Sequence, residues 1–155
     1  MERGIILDLR IAKDTHSPLE SLTTAHLVPN RGIEEDRYYY NVCSFSTGKM
    51  PAYDVSIIEE DMYRELVLES LHTGNVKALR RNIVVSGCSL AMLIDQPFQI
   101  GTTLLRGIIP RRLNHLPLEQ LAGMRLSTGI GAQVLSEGII RLGDELCMVK
   151  ALATS

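Results

Sequence analysis

Tryptophan is absent from this chain and phenylalanine occurs only twice, which removes most of the aromatic platforms on which single-stranded nucleic-acid binders stack bases. An excess of either charge is missing too. Sixteen Lys and Arg stand against 18 Asp and Glu, for a net charge of -2, so no general field attracts a polyanion and any anion site must be local. Nucleic acid is not an expected partner. Cysteine is scarce and odd in number: Cys43, Cys88 and Cys147 show neither CxxC nor Cys/His spacing, which argues against a disulfide framework and a zinc site and for a reducing, cytoplasmic compartment. The histidines His16, His26, His72 and His115 have no spacing that would gather them around a metal, so no metal site is expected. No apolar run approaches the roughly 20 residues that cross a bilayer, and residues 1–10 lack the basic-then-apolar order of a secretory signal. No membrane partner is expected.

At 45% hydrophobic, 155 residues can bury a core without staples, so one domain over 1–155 is the expectation. Residues 4–12, GIILDLRIA, alternate Leu7, Leu9 and Ile11 with Asp8 and Arg10, the period of a half-buried strand. Residues 15–53 carry Pro18, Pro29, Gly32, Gly48 and Pro51 among polar residues and read as loop rather than long regular elements. A short strand follows at 55–58, then a helix at 59–72 with Tyr63, Val67 and Leu71 four residues apart, an acidic first turn and Gly74 as its stop. Further strands are expected at 83–85, 98–100 and 102–106, and a second short helix at 116–122 with Pro117 in its first turn. Residues 131–136 and 139–149 read as a hairpin across Glu137 and Gly138, with Gly143 and Asp144 bending its second strand. Many short strands and one clear helix predict a mainly β fold, a closed or partly closed barrel.

Two motifs suit a local anion site. Asp36 and Arg37 stand side by side in the Gly/Pro-rich loop, where a carboxylate can fix the guanidinium fork for a bidentate anion or simply pin the loop as a salt bridge. Arg80, Arg81 and Asn82 open a strand of residues built for burial. Alternation places Arg80 with Asn82 and Val84, and Arg81 with Ile83 and Val85, and does not say which arginine faces a pocket. Arg111 and Arg112 offer further donors or form a solvated turn. Tyr38, Tyr39 and Tyr40 can wall a flat heterocycle or fill core. His115 has the chemistry of a general base, though a lone His more often has a structural role.

In chain order, GIEEDRY at 32–38, RRNIVVSGCSLAMLIDQPFQIG at 80–101, LLRG at 104–107 and GAQVLSEGIIRLGD at 131–144 resemble the MOSC domain, named for the C-terminal domain of molybdenum cofactor sulfurases. The resemblance spans roughly 4–149 and implies a β-barrel with few helices that binds molybdenum cofactor or carries sulfur for it; some relatives reduce N-hydroxylated compounds. It matches Asp36 and Arg37 to the family's Asp-Arg pair, and Arg81 and Asn82 to the Arg-Asn pair that helps bind the anionic cofactor. Glu35 and Tyr38 replace the usual Gly and His around Asp-Arg. The family cysteine expected after the strand ending at Gly107 is also missing, since residues 108–115 contain none, and no other side chain there supplies a thiolate.

The resulting expectation is a MOSC-like protein binding molybdenum cofactor (molybdopterin) or a related anionic heterocycle through Asp36, Arg37, Arg81 and Asn82, assisted by Arg111 and Arg112. A molybdoenzyme or sulfur donor would be its protein partner. Two alternatives stand beside it: a sulfur-transfer or molybdenum-dependent reductase with Cys43 or Cys88 recruited, and a non-catalytic interaction or regulatory domain.

Overall fold

The computed structural model describes residues 3–14, 17–36, 53–74, 76, 79–110 and 113–149. Its elements are β1 (Arg3–Ile11), β2 (Glu20–Leu22), β3 (Thr24–Val28), β4 (Gly32–Ile33), β5 (Val55–Glu59), α1 (Glu60–Thr73), β6 (Ile83–Ser86), a 3-10 turn (Leu90–Leu93), β7 (Pro97–Ile100), β8 (Thr103–Ile108), α2 (Leu118–Ala122), β9 (Ile130–Val134), β10 (Gly138–Arg141) and β11 (Glu145–Met148). Seven strands run in the order β11-β7-β8-β9-β5-β6-β1, and β1 pairs with β11 to close the barrel. The fold is mainly β, as expected. Closure leaves no bare edge within this ring, which would otherwise template association. No helix among the described residues is long and apolar enough to cross a membrane.

The barrel is filled from several strands at once. Ile6, Leu9, Ile57, Ile83, Val85, Phe98, Ile100, Leu105 and Leu146 are buried in one cluster. β5 and β6 are the parallel pair among these antiparallel strands, and a parallel pair needs a crossover, which α1 supplies. α1 packs across the outside of β5 and β6, with Met62, Tyr63 and Leu66 on Ile58 and Val84. Its first turn is acidic, Arg64 pairs with Glu60 at 3.2 Å, and Gly74 ends it in the left-handed region at φ 74°. Arg10 lies over the Tyr63 ring, 4.5 Å from its centroid, and donates to its hydroxyl.

Four expectations change. In β1 the core residues are Ile6, Leu9 and Ile11, while Leu7 is 41% exposed, because the pairing with β6 shifts register between Ile6 and Asp8. An extra residue in one strand flips the face of everything beyond it. The stretch read as loop contains β2, β3 and β4; β3 and β4 join β10 in a second, three-stranded sheet, ordered β10-β3-β4. There Ala25 and Leu27 are buried, a two-residue alternation that the flanking prolines outweighed in the sequence. The expected C-terminal hairpin does not form. β9 pairs with β5 and β8, β10 with β3, and β11 with β1 and β7. Leu135 and Ser136 both donate backbone N–H groups to Leu104 O, so the chain stays on β8 before crossing to the second sheet. Finally, Glu59 belongs to β5 rather than to the helix, and Pro117 precedes α2, which begins at Leu118.

Candidate functional site

At the end of the barrel where β8 ends and β6 and β9 begin lies a cavity of about 200 Å3. Its wall consists of Tyr53, Ser56, Arg81, Ile108, Ile109, Pro110, Thr128, Gly129, Ile130 and Gly131. The apolar part comes from the exit of β8, and the positive charge from Arg81, which precedes β6. Strand alternation left the choice between Arg80 and Arg81 open, and the structure resolves it. Arg80 donates to the carbonyls of Ser17 and Asp14, each at 3.0 Å, and so ties down a surface loop. Arg81 lines the cavity, half-buried, with its Nε donating to Thr128 O at 2.8 Å. That bond orients the guanidinium plane, the requirement for fork-like anion recognition. The turn that delivers Thr128 needs glycine. Gly129 has φ 80°, and a Cβ there would run into Ile57 O, so any other residue displaces the wall.

Asn82, next to Arg81, turns inward. Its Oδ1 accepts the Ser56 backbone N–H at 3.0 Å and the Ser56 hydroxyl at 3.2 Å, and its Nδ2 donates to Arg10 O at 3.1 Å. The bond is reciprocal, because the Asn82 backbone N–H donates to Ser56 Oγ at 3.0 Å. Asn82 thereby joins β1, β5 and β6 beneath the cavity and holds Ser56 in its wall. Asp36 is 1% exposed and accepts the Ala12 backbone N–H at 2.9 Å, which ties the exit of β4 to the exit of β1. It is not in the cavity wall. Arg37, Arg111 and Arg112, like Tyr38, Tyr39, Tyr40 and Cys43, lie outside the described residues.

Tyr53, Ser56 and Thr128 were not singled out from the sequence. The available signal was Ser56, a lone hydroxyl inside the apolar run Val55 to Ile58. A second cavity, of about 210 Å3, borders the three-stranded sheet and is lined by His26, Glu34 and Glu35 among apolar residues. His26 meets Glu137 at 2.7 Å and Glu34 at 3.5 Å. Carboxylates border that space, whereas a guanidinium borders the first. Cys88 lies beyond the opposite end of β6, where a Cβ on Gly4 would come within 2.7 Å of its sulfur. Among the described residues no cysteine borders the Arg81 cavity.

Beside the cavity, Asp54 is 9% exposed, and its Oδ2 accepts the backbone N–H groups of Val134 at 2.9 Å and Asn30 at 3.2 Å. Burial holds this carboxyl above the ordinary carboxylate value, outweighing the two donors that pull it down. A folded-state value raised above the unfolded one means that the group's contribution to stability is full below the unfolded value and is lost as pH rises through the folded one. Asp54→Asn keeps an oxygen for both donors and removes the charge. It is expected to melt at or above wild type at pH 8, with the difference shrinking on acidification to pH 4. A variant that melts lower by the same margin at both pH values contradicts this.

No family model and no curated protein matches the chain in sequence. Solved structures do match its fold. The YuaD protein from Bacillus subtilis aligns with a TM-score of 0.61 at 18% identity, covering 94% of this chain and 97% of that one. YiiM from Escherichia coli aligns at 0.56 and 14% identity, covering 97% and 70%. YiiM from Geobacillus stearothermophilus gives 0.54 and 16%, covering 95% and 75%. At these identities the likeness is one of fold, and it supports the MOSC-like barrel that the sequence resemblance implies.

Proposed function

We propose that this MOSC-like barrel binds an anionic heterocycle of the molybdopterin type at the Arg81 cavity, without a covalent bond to the protein. The observation that carries this reading is Arg81 itself: a guanidinium oriented by Thr128 O in the wall of a largely apolar cavity. A charge in such a place gains more from an anion than an exposed one would, because water competes less. Asn82 acts from beneath, by fixing Ser56. Asp36, through Arg37, and the Arg111-Arg112 pair are proposed to add further donors.

The residues present fit one part of a molybdenum cofactor and not another. An anionic ring finds a guanidinium and apolar walls. A protein-held molybdenum would meet Ile108, Ile109 and Pro110 in that wall, and these carry no donor soft enough to hold it. Recruitment of Cys88 for sulfur transfer is disfavoured by its place beyond the far end of β6.

Native mass spectrometry of protein purified gently from its own host tests the reading. The expected result is a non-covalent adduct of molybdopterin type that leaves on denaturation. Protein that carries no adduct, and gives no heat when titrated with pterin-6-carboxylate, removes the proposal and favours an interaction domain.

A further inference from the structure

We infer that Tyr53 sets the ligand class of the Arg81 cavity: its ring is an aromatic platform that selects planar heteroaromatic anions over non-aromatic anions of equal charge. This rests on the anion-binding reading of the cavity and adds to it the element that recognises a ring.

The geometry begins with a glycine. Gly131 lies on β9, paired with Ser56 of β5 and Ile108 of β8. A Cβ built on it would strike Cγ and Cδ1 of the Tyr53 ring and come within 2.6 Å of Tyr53 Cβ. The ring therefore rests directly on the strand backbone, where no side chain separates them. Any other residue at 131 would push the ring off its seat. Tyr53 still lines the cavity together with the apolar Ile108 and Pro110, and Arg81 supplies the charge. An aromatic surface, aliphatic surfaces and a guanidinium in one wall are the complement of a flat ring bearing an anionic substituent. The size agrees. At about 200 Å3 the space is below the roughly 300 to 1,000 Å3 typical of drug-sized ligands, and suits a small fused ring.

The test uses the full chain with pterin-6-carboxylate as a fluorescent probe and cyclohexanecarboxylate as a non-aromatic competitor. The chain has no tryptophan, so no indole emission interferes with the probe. Wild type is expected to prefer the pterin by at least about tenfold, or about 1.4 kcal/mol. Tyr53→Leu is expected to weaken pterin binding about tenfold or more and cyclohexanecarboxylate binding less than twofold, while Tyr53→Phe holds both within about threefold. If Tyr53→Leu fails to fold, the wild-type preference and Tyr53→Phe still decide. Equal wild-type affinity for the two anions, or a folded Tyr53→Leu that binds the pterin as wild type does, overturns the inference. If Arg81→Ala nonetheless abolishes binding in that case, the anion site itself stands. If wild type binds neither anion, the anion-binding reading falls and the inference with it.

Discussion

Asn82→Ala is expected to cost about 3 to 5 kcal/mol of folding free energy. A chain of this size loses roughly 2 to 4 °C per kcal/mol, so the melting temperature should fall by roughly 10 °C. The loss is large because the side chain serves three buried groups at once: the Ser56 N–H, the Ser56 hydroxyl and the Arg10 carbonyl. Removing it leaves all three without that partner in a site that is 1% exposed. Each orphaned buried group costs about 1 to 3 kcal/mol. Asn82→Asp is the informative companion. It keeps an acceptor for Ser56 but aims a carboxylate at the Arg10 carbonyl and buries a charge, so it should be destabilised to a similar degree at neutral pH. Urea and thermal melts of both variants decide this, and a loss under 1 kcal/mol for Asn82→Ala would refute it. The same melts must precede any binding assay on Asn82, since an unfolded barrel also binds nothing.

Arg81→Ala is expected to lower affinity for pterin-6-carboxylate by roughly 2 to 5 kcal/mol, the usual cost when a desolvated charge loses its partner. This is about 30-fold to several thousandfold in Kd. Arg81→Lys should recover only part of the loss, because an ammonium keeps the charge but neither the fork nor the Nε bond to Thr128 O. Replacing Cys43, Cys88 and Cys147 together by Ser should leave affinity within about tenfold. Cys88 is buried, so circular dichroism and melts must first show the triple variant folded. With that control passed, titration calorimetry separates the two chemistries. Strong loss in the cysteine variant with little loss in Arg81→Ala would replace the anion pocket by a recruited thiol.

How far the sequence could be read depended on whether a residue's neighbours were near in the chain. Composition and strand spacing announced a mainly β barrel, and the four-residue spacing of Tyr63, Val67 and Leu71 announced α1, because both signals are local. The face of β1 was misread since one extra residue, Leu7, is accommodated only by pairing with β6. Nothing in residues 4–12 alone encodes that shift. Glu137 and Gly138 look like a hairpin turn, yet the strands they join belong to different sheets; the competing partners, β3 and β8, lie far away in sequence. At the site, the Arg-Asn pair was visible as a motif. The division of labour within it was not, since it depends on Ser56 and Thr128, 26 and 47 residues away. Tyr53 escaped notice for the same reason, its seat being a glycine on β9.

The closure of the barrel imposes an order on its assembly. β1 is made before the rest of the barrel, yet one of its two barrel neighbours is β11, and their pairing sets Arg3 opposite Cys147 and Ile5 opposite Glu145. At translation rates of roughly 5 to 20 residues per second, that flank of β1 waits on the order of ten seconds for its partner. The parallel pair built by β5, α1 and β6 is complete well before then and can seat the other flank of β1 through β6. In the interval, the half-made sheet presents an open strand to anything nearby. Newly made chains are therefore most exposed to mispairing just before residues 145–148 appear, a vulnerability of the nascent protein that the finished barrel no longer shows.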